Sequence, residues 1–222
     1  MKKQLLFTLT ILAVCFNLHS QKASYFLDLG INHSGFENKF PPYQPVTTYR
    51  NFNPNFSIAL GTETPIRKKF CFITSIGWRV TGSKYIDTLL SSLSPRKVLR
   101  TEANYNYIHQ INIPMLIGIK IGKKANFKPF LGINNNFNYY FYRKNQSTGY
   151  YNYGKDFLHP YAPYAMAGLI FEKKKLFHEK IGLGIKCSYE QNLLNLRKED
   201  YGFLILNQKI LSITLQINYS LY

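Results

Sequence analysis

Residues 211–221 read L-S-I-T-L-Q-I-N-Y-S-L, and this stretch decides the fold. Apolar side chains stand at every odd position, from Leu211 to Leu221, and Ser, Thr, Gln or Asn stands at every even position. Alternation with a period of two is typical of a β-strand with one apolar face and one polar face. The length also matches the roughly 9–11 residues that a tilted strand needs to cross a bilayer.

Seven further segments alternate in the same way, and their apolar faces start at Tyr25, Phe56, Phe70, Tyr107, Leu131, Ala165 and Ile181. Short basic turns and long segments connect them in alternation, with the long segments near residues 33–54, 82–104, 143–160 and 191–208. An even number of strands can close an up-and-down barrel, and closure leaves no backbone group unpaired in lipid. The predicted fold is all-β: an eight-stranded antiparallel up-and-down transmembrane β-barrel with a side-chain-filled lumen and both termini on the periplasmic side.

The first twenty residues have the pattern of a signal peptide. Lys2 and Lys3 precede an apolar run from Leu5 to Leu18, and Ser20 is a small residue at a plausible cleavage point. The run is shorter than the roughly 20 residues of a membrane-spanning helix. We therefore expect a cleaved signal peptide at 1–20 and a barrel domain at 21–222 in the cell outer membrane. An uncleaved anchor and a lipidated Cys15 are the alternatives.

The chain of 222 residues carries 28 Lys and Arg against 11 Asp and Glu, a net charge of +17. Such an excess is typical of nucleic-acid binders, but an exported barrel does not meet nucleic acid. The surplus lies in the turns and long loops, which puts it at the two rims of the barrel. The expected partners are outer-membrane lipid, including lipopolysaccharide phosphates, and other envelope or secretion proteins, with no nucleic acid.

The charged residues well inside the predicted strands all stand at the alternate positions that make up the polar face. The set comprises four acids and four bases, namely Asp28, Glu63, Arg79, Lys120, Lys128, Glu172, Lys186 and Glu190. An Arg or Lys on the lipid face near the midplane would cost about 2–4 kcal/mol, whereas buried charges persist when they are paired. We predict that these eight residues form a charge network in the lumen. A soluble secreted barrel, with its polar face outside, is the alternative.

Glycines and aromatic residues also follow the two faces. Inward glycines, among them Gly168, are expected to make room for Phe130, Tyr140 and Tyr164. Interface girdles are expected at Tyr107, Trp78 and Tyr139 above, and at Tyr219 and Phe127 below.

The fourth and fifth segments carry a family resemblance. An I-P-M-L run over 113–116, a basic turn and a K-P-F strand start over 128–130 resemble the PorT-type outer-membrane β-barrel family of the Bacteroidetes. The motif residues are Ile113, Pro114, Leu116, Lys128 and Pro129. The resemblance implies a role in a secretion and gliding apparatus, although many relatives have no assigned role, and Asn112 replaces a residue that is often acidic. Since proline donates no ladder hydrogen bond, we expect a bulge or bend at Pro114 and Pro129.

No motif points to catalysis, a metal or a cofactor. The histidines lack metal-ligand spacing, and Cys71 and Cys187 have opposite parity, which disfavours a disulfide. For a lipid-modifying enzyme, the nameable candidates are Ser34 beside His33 and Ser147 with His159.

The long loops are rich in aromatic and apolar residues suited to contact surfaces. The contact candidates are Phe40, Tyr43, Tyr49, Leu89, Leu93, Tyr150, Tyr151 and Tyr153. Apolar residues over 86–93 have helical spacing and predict a short amphipathic helix. Loops that pack on themselves over the barrel mouth are the alternative to partner binding.

These observations predict a non-catalytic integral outer-membrane β-barrel, a binding or structural component of a cell-surface or secretion assembly. A narrow pore for small solutes is the first alternative, and an outer-membrane lipid-modifying enzyme is the second.

Overall fold

The structure is a computed structural model. It describes residues 23–39, 54–90, 98–122, 125–145, 149–152, 158–177, 180–194, 196 and 205–220. Over these ranges we find no helix with the length and apolar character that a membrane span requires.

Within the described ranges, nine strands make up one sheet: β1 Ser24–Lys39, β2 Pro54–Pro65, β3 Phe70–Leu90, β4 Val98–Ile119, β5 Ala125–Asn145, β6 Gly149–Asn152, β7 Tyr161–Phe177, β8 Ile181–Asn192 and β9 Ile205–Ser220. Their order is β4-β3-β2-β1-β9-β8-β7-β5, and an additional β4–β5 pairing closes the ring. The short β6 pairs with the upper end of β5. The predicted eight-stranded antiparallel barrel is therefore confirmed, while β6 is an element that the sequence did not predict.

The register fixes the stagger of the barrel. A path across paired residues from Ser24 leads through Glu63, Ile73, Leu116, Gly132, Met166, Glu190 and Ile210 to Ser34. One circuit thus ends ten residues further along β1. With usual strand spacings, this stagger gives a strand tilt of about 40°.

The barrel buries polar side chains and exposes apolar ones. Outward residues such as Ile213 and Leu131 are 60% and 68% exposed, whereas Gln216 and Lys128 are 1% exposed. Among the described residues, the buried polar and charged side chains outnumber the buried apolar ones. This inverted distribution is expected of a barrel whose outer face meets hydrocarbon.

One inward glycine shows how bulky rings fit. A Cβ on Gly168 would lie 2.5 Å from Cζ of Phe130 and 2.2 Å from the carbonyl oxygen of Cys187. The ring of Phe130 therefore occupies the space that the glycine leaves, as expected for this pair.

A β-bulge between His109 and Gln110 reverses the faces at the top of β5, because His109 pairs with Tyr140 whereas Gln110 pairs with Asn138. Phe141, predicted to face outward, is buried at 5% exposure. Tyr140, predicted to fill the lumen, is 39% exposed on the outside. Both predictions were wrong because strict alternation does not survive the extra residue of a bulge.

The strands differ greatly in height. β3 and β4 form a hairpin that remains paired up to Leu90 and Val98, with a register shift after Leu89, far inside the predicted loop 82–104. The helix predicted over 86–93 is wrong as far as Leu90, because cross-strand pairing with β4 holds these residues extended. By contrast, β2, β7 and β8 end lower, at Pro54, Tyr161 and Asn192. The barrel therefore has a tall side, formed by β3–β6, and a low side, formed by β2, β7 and β8, while β1 and β9 remain paired up to Lys39 and Ile205.

Above the end of β2, β1 contacts β3 directly. The Ser34 hydroxyl donates to the Gly82 carbonyl at 2.5 Å and accepts from the Gly82 amide at 2.6 Å. This side chain therefore satisfies the amide and the carbonyl of Gly82 beyond Pro54, the first residue of β2.

Pro114 interrupts a ladder without a bulge. The β3–β4 register pairs Thr74 with Met115 and resumes with Gly77 and Asn112, with no shift between them. No register shift occurs along β5–β7 near Pro129 either. The expected bulge is wrong at both prolines, because the β3–β4 ladder only skips the missing donor of Pro114 and the β5–β7 pairing is continuous at Pro129. The alternative of a bend stays a prediction.

Candidate functional site

The candidate site is the lumen, and its lower end holds an ionic cluster. Lys128 on β5 donates to Glu63 on β2 at 2.5 Å and to Glu172 on β7 at 2.6 Å. Lys120, just beyond β4, pairs with the other Glu63 oxygen at 2.7 Å. The Lys128 side chain is 1% exposed, and the two carboxylates are 7% and 5% exposed. Two bases and two acids thus neutralise one another at the end where the chain forms its short turns.

A second ion pair lies further up the barrel. Lys186 on β8 donates to Asp28 on β1 at 2.8 Å, and the other Asp28 oxygen accepts from Gln216 on β9 at 3.0 Å. Lys186 also lies 6.0 Å from the centroid of the Phe130 ring. Each carboxylate oxygen therefore has its own donor, which is what a buried acid requires.

Arg79 on β3 organises the upper lumen. Its guanidinium donates to Glu190 at 2.7 Å, to Gln110 Oε1 at 2.9 Å and to Asn136 Oδ1 at 2.9 Å. Asn134 donates to the second Glu190 oxygen at 2.8 Å. The five donors of a planar guanidinium suit such a divergent set of partners.

A polar cavity of about 40 Å³ lies between these clusters. Asp28, Arg79, Lys186 and Glu190 line it, together with serines and threonines of several strands. A water molecule needs roughly 10–15 Å³ by this measure, so the cavity has room for a few waters.

Apolar layers cover the polar region above and below. The upper plug comprises Ile108, Phe141, Leu158, Ala162, Tyr164, Leu196 and Ile210. Leu158 and Leu196 come from segments that connect strands, and the His159 amide binds the Leu196 carbonyl at 2.8 Å. The lower layer comprises Phe26, Cys71, Ile73, Leu116, Phe130, Met166 and Ile170. Side chains from both layers and the ion pairs therefore fill the barrel.

Two aromatic girdles surround the outer face. The lower girdle includes Phe127 and Phe171, whose centroids are 5.0 Å apart, and the paired Tyr25 and Tyr219. The upper girdle includes Trp78, whose indole donates to the Tyr139 hydroxyl. Phe127 and Tyr139 are twelve residues apart on β5, which at this tilt is about 30 Å along the barrel axis. This spacing is close to the apolar thickness of a bilayer.

The structure places all eight charged residues of the predicted lumen set inside the barrel or at its lower mouth. Each makes at least one ion pair with another member of the set. Of the motif residues, Leu116 and Lys128 face inward with Pro114, whereas Ile113 and Pro129 are half-buried. The motif thus supplies one charged member of the lower cluster.

The loop-contact candidates are only partly described. Phe40, Tyr43, Tyr49, Leu93 and Tyr153 lie outside the described residues. Leu89 pairs with Arg100 near the top of the β3–β4 hairpin, and Tyr150 and Tyr151 pair with Lys144 and Arg143 through β6. The candidates that the structure describes therefore belong to the tall side of the barrel.

Of the two Ser–His pairs considered for catalysis, the structure describes one, His33 and Ser34, and it does not bring these two side chains together. Ser34 is buried and bound to Gly82, and neighbouring residues of a strand such as His33 and Ser34 point to opposite faces. Ser147 lies outside the described residues. Cys71 and Cys187 are free thiols. Across the part of the chain that the structure describes, no three His, Cys, Asp or Glu side chains are grouped to hold a metal.

Sequence reasoning missed the amides that complete the network. Gln110, Asn134 and Asn136 have the inward parity, but their partners lie 31 to 57 residues away in the chain. It also missed Leu158 and Leu196, because isolated apolar residues in a connecting segment carry no periodic signal. For the amides, a signal was available: an inward Asn or Gln at the same height in the barrel as an inward Arg is a candidate hydrogen-bond partner of that Arg.

Residues 19–197 match the family described as outer membrane protein beta-barrel domain. No curated protein matches the sequence. Among solved structures, Ail, the attachment invasion locus protein of Yersinia pestis, is 11% identical, with 90% of this chain and 100% of Ail covered and a TM-score of 0.44. OprG of Pseudomonas aeruginosa is 8% identical, with 92% and 98% covered and a TM-score of 0.47. Neisserial surface protein A is 10% identical, with 89% and 99% covered and a TM-score of 0.40. The family match extends over most of the sequence, and the chain belongs to the outer membrane protein beta-barrel domain family.

Proposed function

We propose that this barrel is a non-catalytic binding or structural component of a cell-surface or secretion assembly, and that its tall side forms the contact surface. The observation that carries the proposal is the difference in strand height. β4 continues for eleven residues from His109 to Val98, roughly 35 Å along the strand, while β2, β7 and β8 end near the girdle. A sheet that projects beyond the neighbouring strands suits docking by another envelope protein.

The filled lumen supports binding rather than transport. A solute would have to displace the upper plug, the Arg79 network and the Lys128 cluster in turn. The alternative of a narrow pore predicts conductance in planar bilayers. We expect the refolded protein to give no channel current, and a steady single-channel current would contradict the proposal.

The lengths of the connections support a proposed orientation. Short turns lie at the end where Ser24 pairs with Ser220, and we place this end in the periplasm after removal of residues 1–20 as a signal peptide. Basic residues at both rims, such as Arg67 and Lys84, would then lie level with lipid phosphates, including those of lipopolysaccharide. The resemblance of residues 113–130 to the PorT-type family of the Bacteroidetes supports a secretion-related assembly.

Site-specific photocross-linking in native outer membranes tests the proposal. A photoreactive residue at Tyr151, on β6 of the tall side, should capture a discrete envelope protein. The matched control is the same residue at Lys68, in a short turn. Equal capture at both positions, or none at positions along the tall side, would contradict the proposed contact surface.

Labelling of intact cells tests the orientation separately. In a Cys187→Ser background, a membrane-impermeant maleimide should label Tyr150→Cys and leave Lys68→Cys unlabelled until the cells are lysed. The reverse pattern would place the tall side in the periplasm and contradict the orientation.

A further inference from the structure

The outer face of β3, β4 and β5 changes in character in a regular way with height. Four rows of paired residues run across these strands. From bottom to top they are Trp78–Ile111–Phe137, Val80–His109–Tyr140, Gly82–Tyr107–Tyr142 and Lys84–Tyr105–Lys144. The surface thus passes from apolar through aromatic to basic over six residues of β3.

The aromatic rows form a continuous patch. The rings of Tyr107 and Tyr142 stack at 4.8 Å with planes 21° apart, and Tyr105 stacks on Tyr107 at 6.4 Å and 13°. His109 lies within 6 Å of Trp78, Tyr139, Tyr140 and Tyr142. Ring faces and hydroxyls arranged in this way present apolar area and hydrogen-bonding groups at one level, as interfacial tyrosines do.

The top row carries two cations on either side of a ring. Lys84 Nζ lies 5.5 Å from the centroid of Tyr105, and Lys144 is the partner of Tyr105 on the opposite strand. Strand spacing separates the two lysine backbones by about 10 Å. Two ammonium groups at this spacing complement the negative charges of a phosphorylated headgroup.

We propose that this surface binds an anionic glycolipid of the outer leaflet. The acyl chains would lie along Ile111 and Phe137, the sugars would rest on Tyr107 and Tyr142, and the phosphates would meet Lys84 and Lys144. The inference deepens the proposed function, and it rests on the orientation in which the tall side faces the cell exterior.

A membrane lipid fits the surface better than a soluble polyanion does. The basic row lies directly above an apolar face, with Ile111 40% exposed and Tyr140 39% exposed. A free polyanion would use the charges alone and leave the aromatic and apolar rows without a partner. An amphiphile matches all four rows at once.

Native mass spectrometry of the full chain in detergent, with added bisphosphorylated lipid A, tests the site. We expect a Lys84→Glu/Lys144→Glu variant to lose at least about tenfold in apparent affinity, because two charge-assisted contacts become repulsive. Lys84→Arg/Lys144→Arg should retain binding. The matched control, Arg67→Glu/Lys68→Glu, changes the same charge at the other rim and should bind like the unmodified protein. A heat-modifiable band on a gel shows that each variant is folded.

Three results would overturn the glycolipid site. The first is equal affinity in the Lys84→Glu/Lys144→Glu variant and the unmodified chain. The second is equal binding of lipid A stripped of its phosphates. The third is binding of a soluble sulfated glycan in place of lipid A. Because cell labelling tests the orientation separately, an outward tall side with any of these results would contradict the lipid site alone.

Discussion

Trp78 and Arg79 are neighbours in β3, yet they face opposite environments. The Arg79 side chain is 4% exposed and donates to an acid and two amides inside the barrel. Trp78 faces outward and makes one hydrogen bond to Tyr139 among apolar neighbours. Among the described residues, the paired charges of the spanning region lie on the inner face. The difference teaches that the wall separates a lumen built around ion pairs from an outer face that meets hydrocarbon.

Substitution of Lys128, on the inner face, should cause the largest loss of stability. Lys128→Met leaves Glu172 buried without a cation, while Glu63 keeps Lys120. We expect a loss of about 3–5 kcal/mol in the free energy of unfolding. Urea titration of the protein in phospholipid vesicles, followed by the fluorescence of Trp78, measures this loss.

A second substitution shows whether charge is the cause. Lys128→Met/Glu172→Gln restores neutrality and should recover most of the lost stability. If the double variant is as unstable as the single one, packing around Lys128 rather than its charge explains the effect.

A charge on the outer face should be the next most costly change. Ile133 lies midway between Phe127 and Tyr139 along β5 and is 47% exposed. Ile133→Arg places a cation near the membrane midplane and should cost about 2–4 kcal/mol in the same titration. The matched control is Ile66→Arg, because Ile66 is 52% exposed in a short turn, where the cost falls to about 0–1 kcal/mol. Equal costs at both positions would argue against the assigned membrane boundaries.

A subtler change separates the geometry of Arg79 from its charge. Arg79→Lys keeps a cation beside Glu190 but cannot also reach Gln110 and Asn136 with a planar fork. We expect a loss of about 1–3 kcal/mol, smaller than that of Arg79→Met. Equal losses in Arg79→Lys and Arg79→Met would mean that the hydrogen bonds of the planar guanidinium, and not its ion pair with Glu190, supply the stabilisation.

The smallest effect is expected at the upper girdle. Tyr139→Phe removes the acceptor of the Trp78 indole and leaves the ring in place. A single hydrogen bond of this kind contributes about 0.5–1.5 kcal/mol. Circular dichroism should follow this unfolding, because the substitution alters the surroundings of Trp78. A loss comparable with that of Lys128→Met would contradict the ranking of the two faces.

Parity predicted which side of the wall most residues face, and the reason is geometric. Alternation is a property of each strand alone, so Asp28 and Lys186 can be assigned inward without knowledge of their neighbours. Phe141 faces inward against the alternation, because a bulge depends on the pairing between two strands. The apolar residues at helical spacing from Ile86 to Leu90 are likewise held extended by a hairpin partner.

The partners within the lumen depend on information that no single strand contains. Lys128 meets Glu63 and Glu172 because the stagger of ten residues brings β2, β5 and β7 to the same height. With a different stagger, each side chain would still face inward or outward as its position in the strand dictates, but different residues would meet inside the lumen. The contact between Ser34 and Gly82 likewise depends on the point at which β2 ends.

The pairing of β1 with β9 has a consequence for the order of folding. Ser24 to Lys39 bond to the last strand along their whole length, so β1 has an unpaired edge until β9 is available. Until that moment, both β1 and β8 present open edges that can pair with other chains. Since this contact spans nearly the entire sequence, it forms slowly. We therefore expect closure of the seam between β1 and β9 to be a late step in the assembly of the barrel.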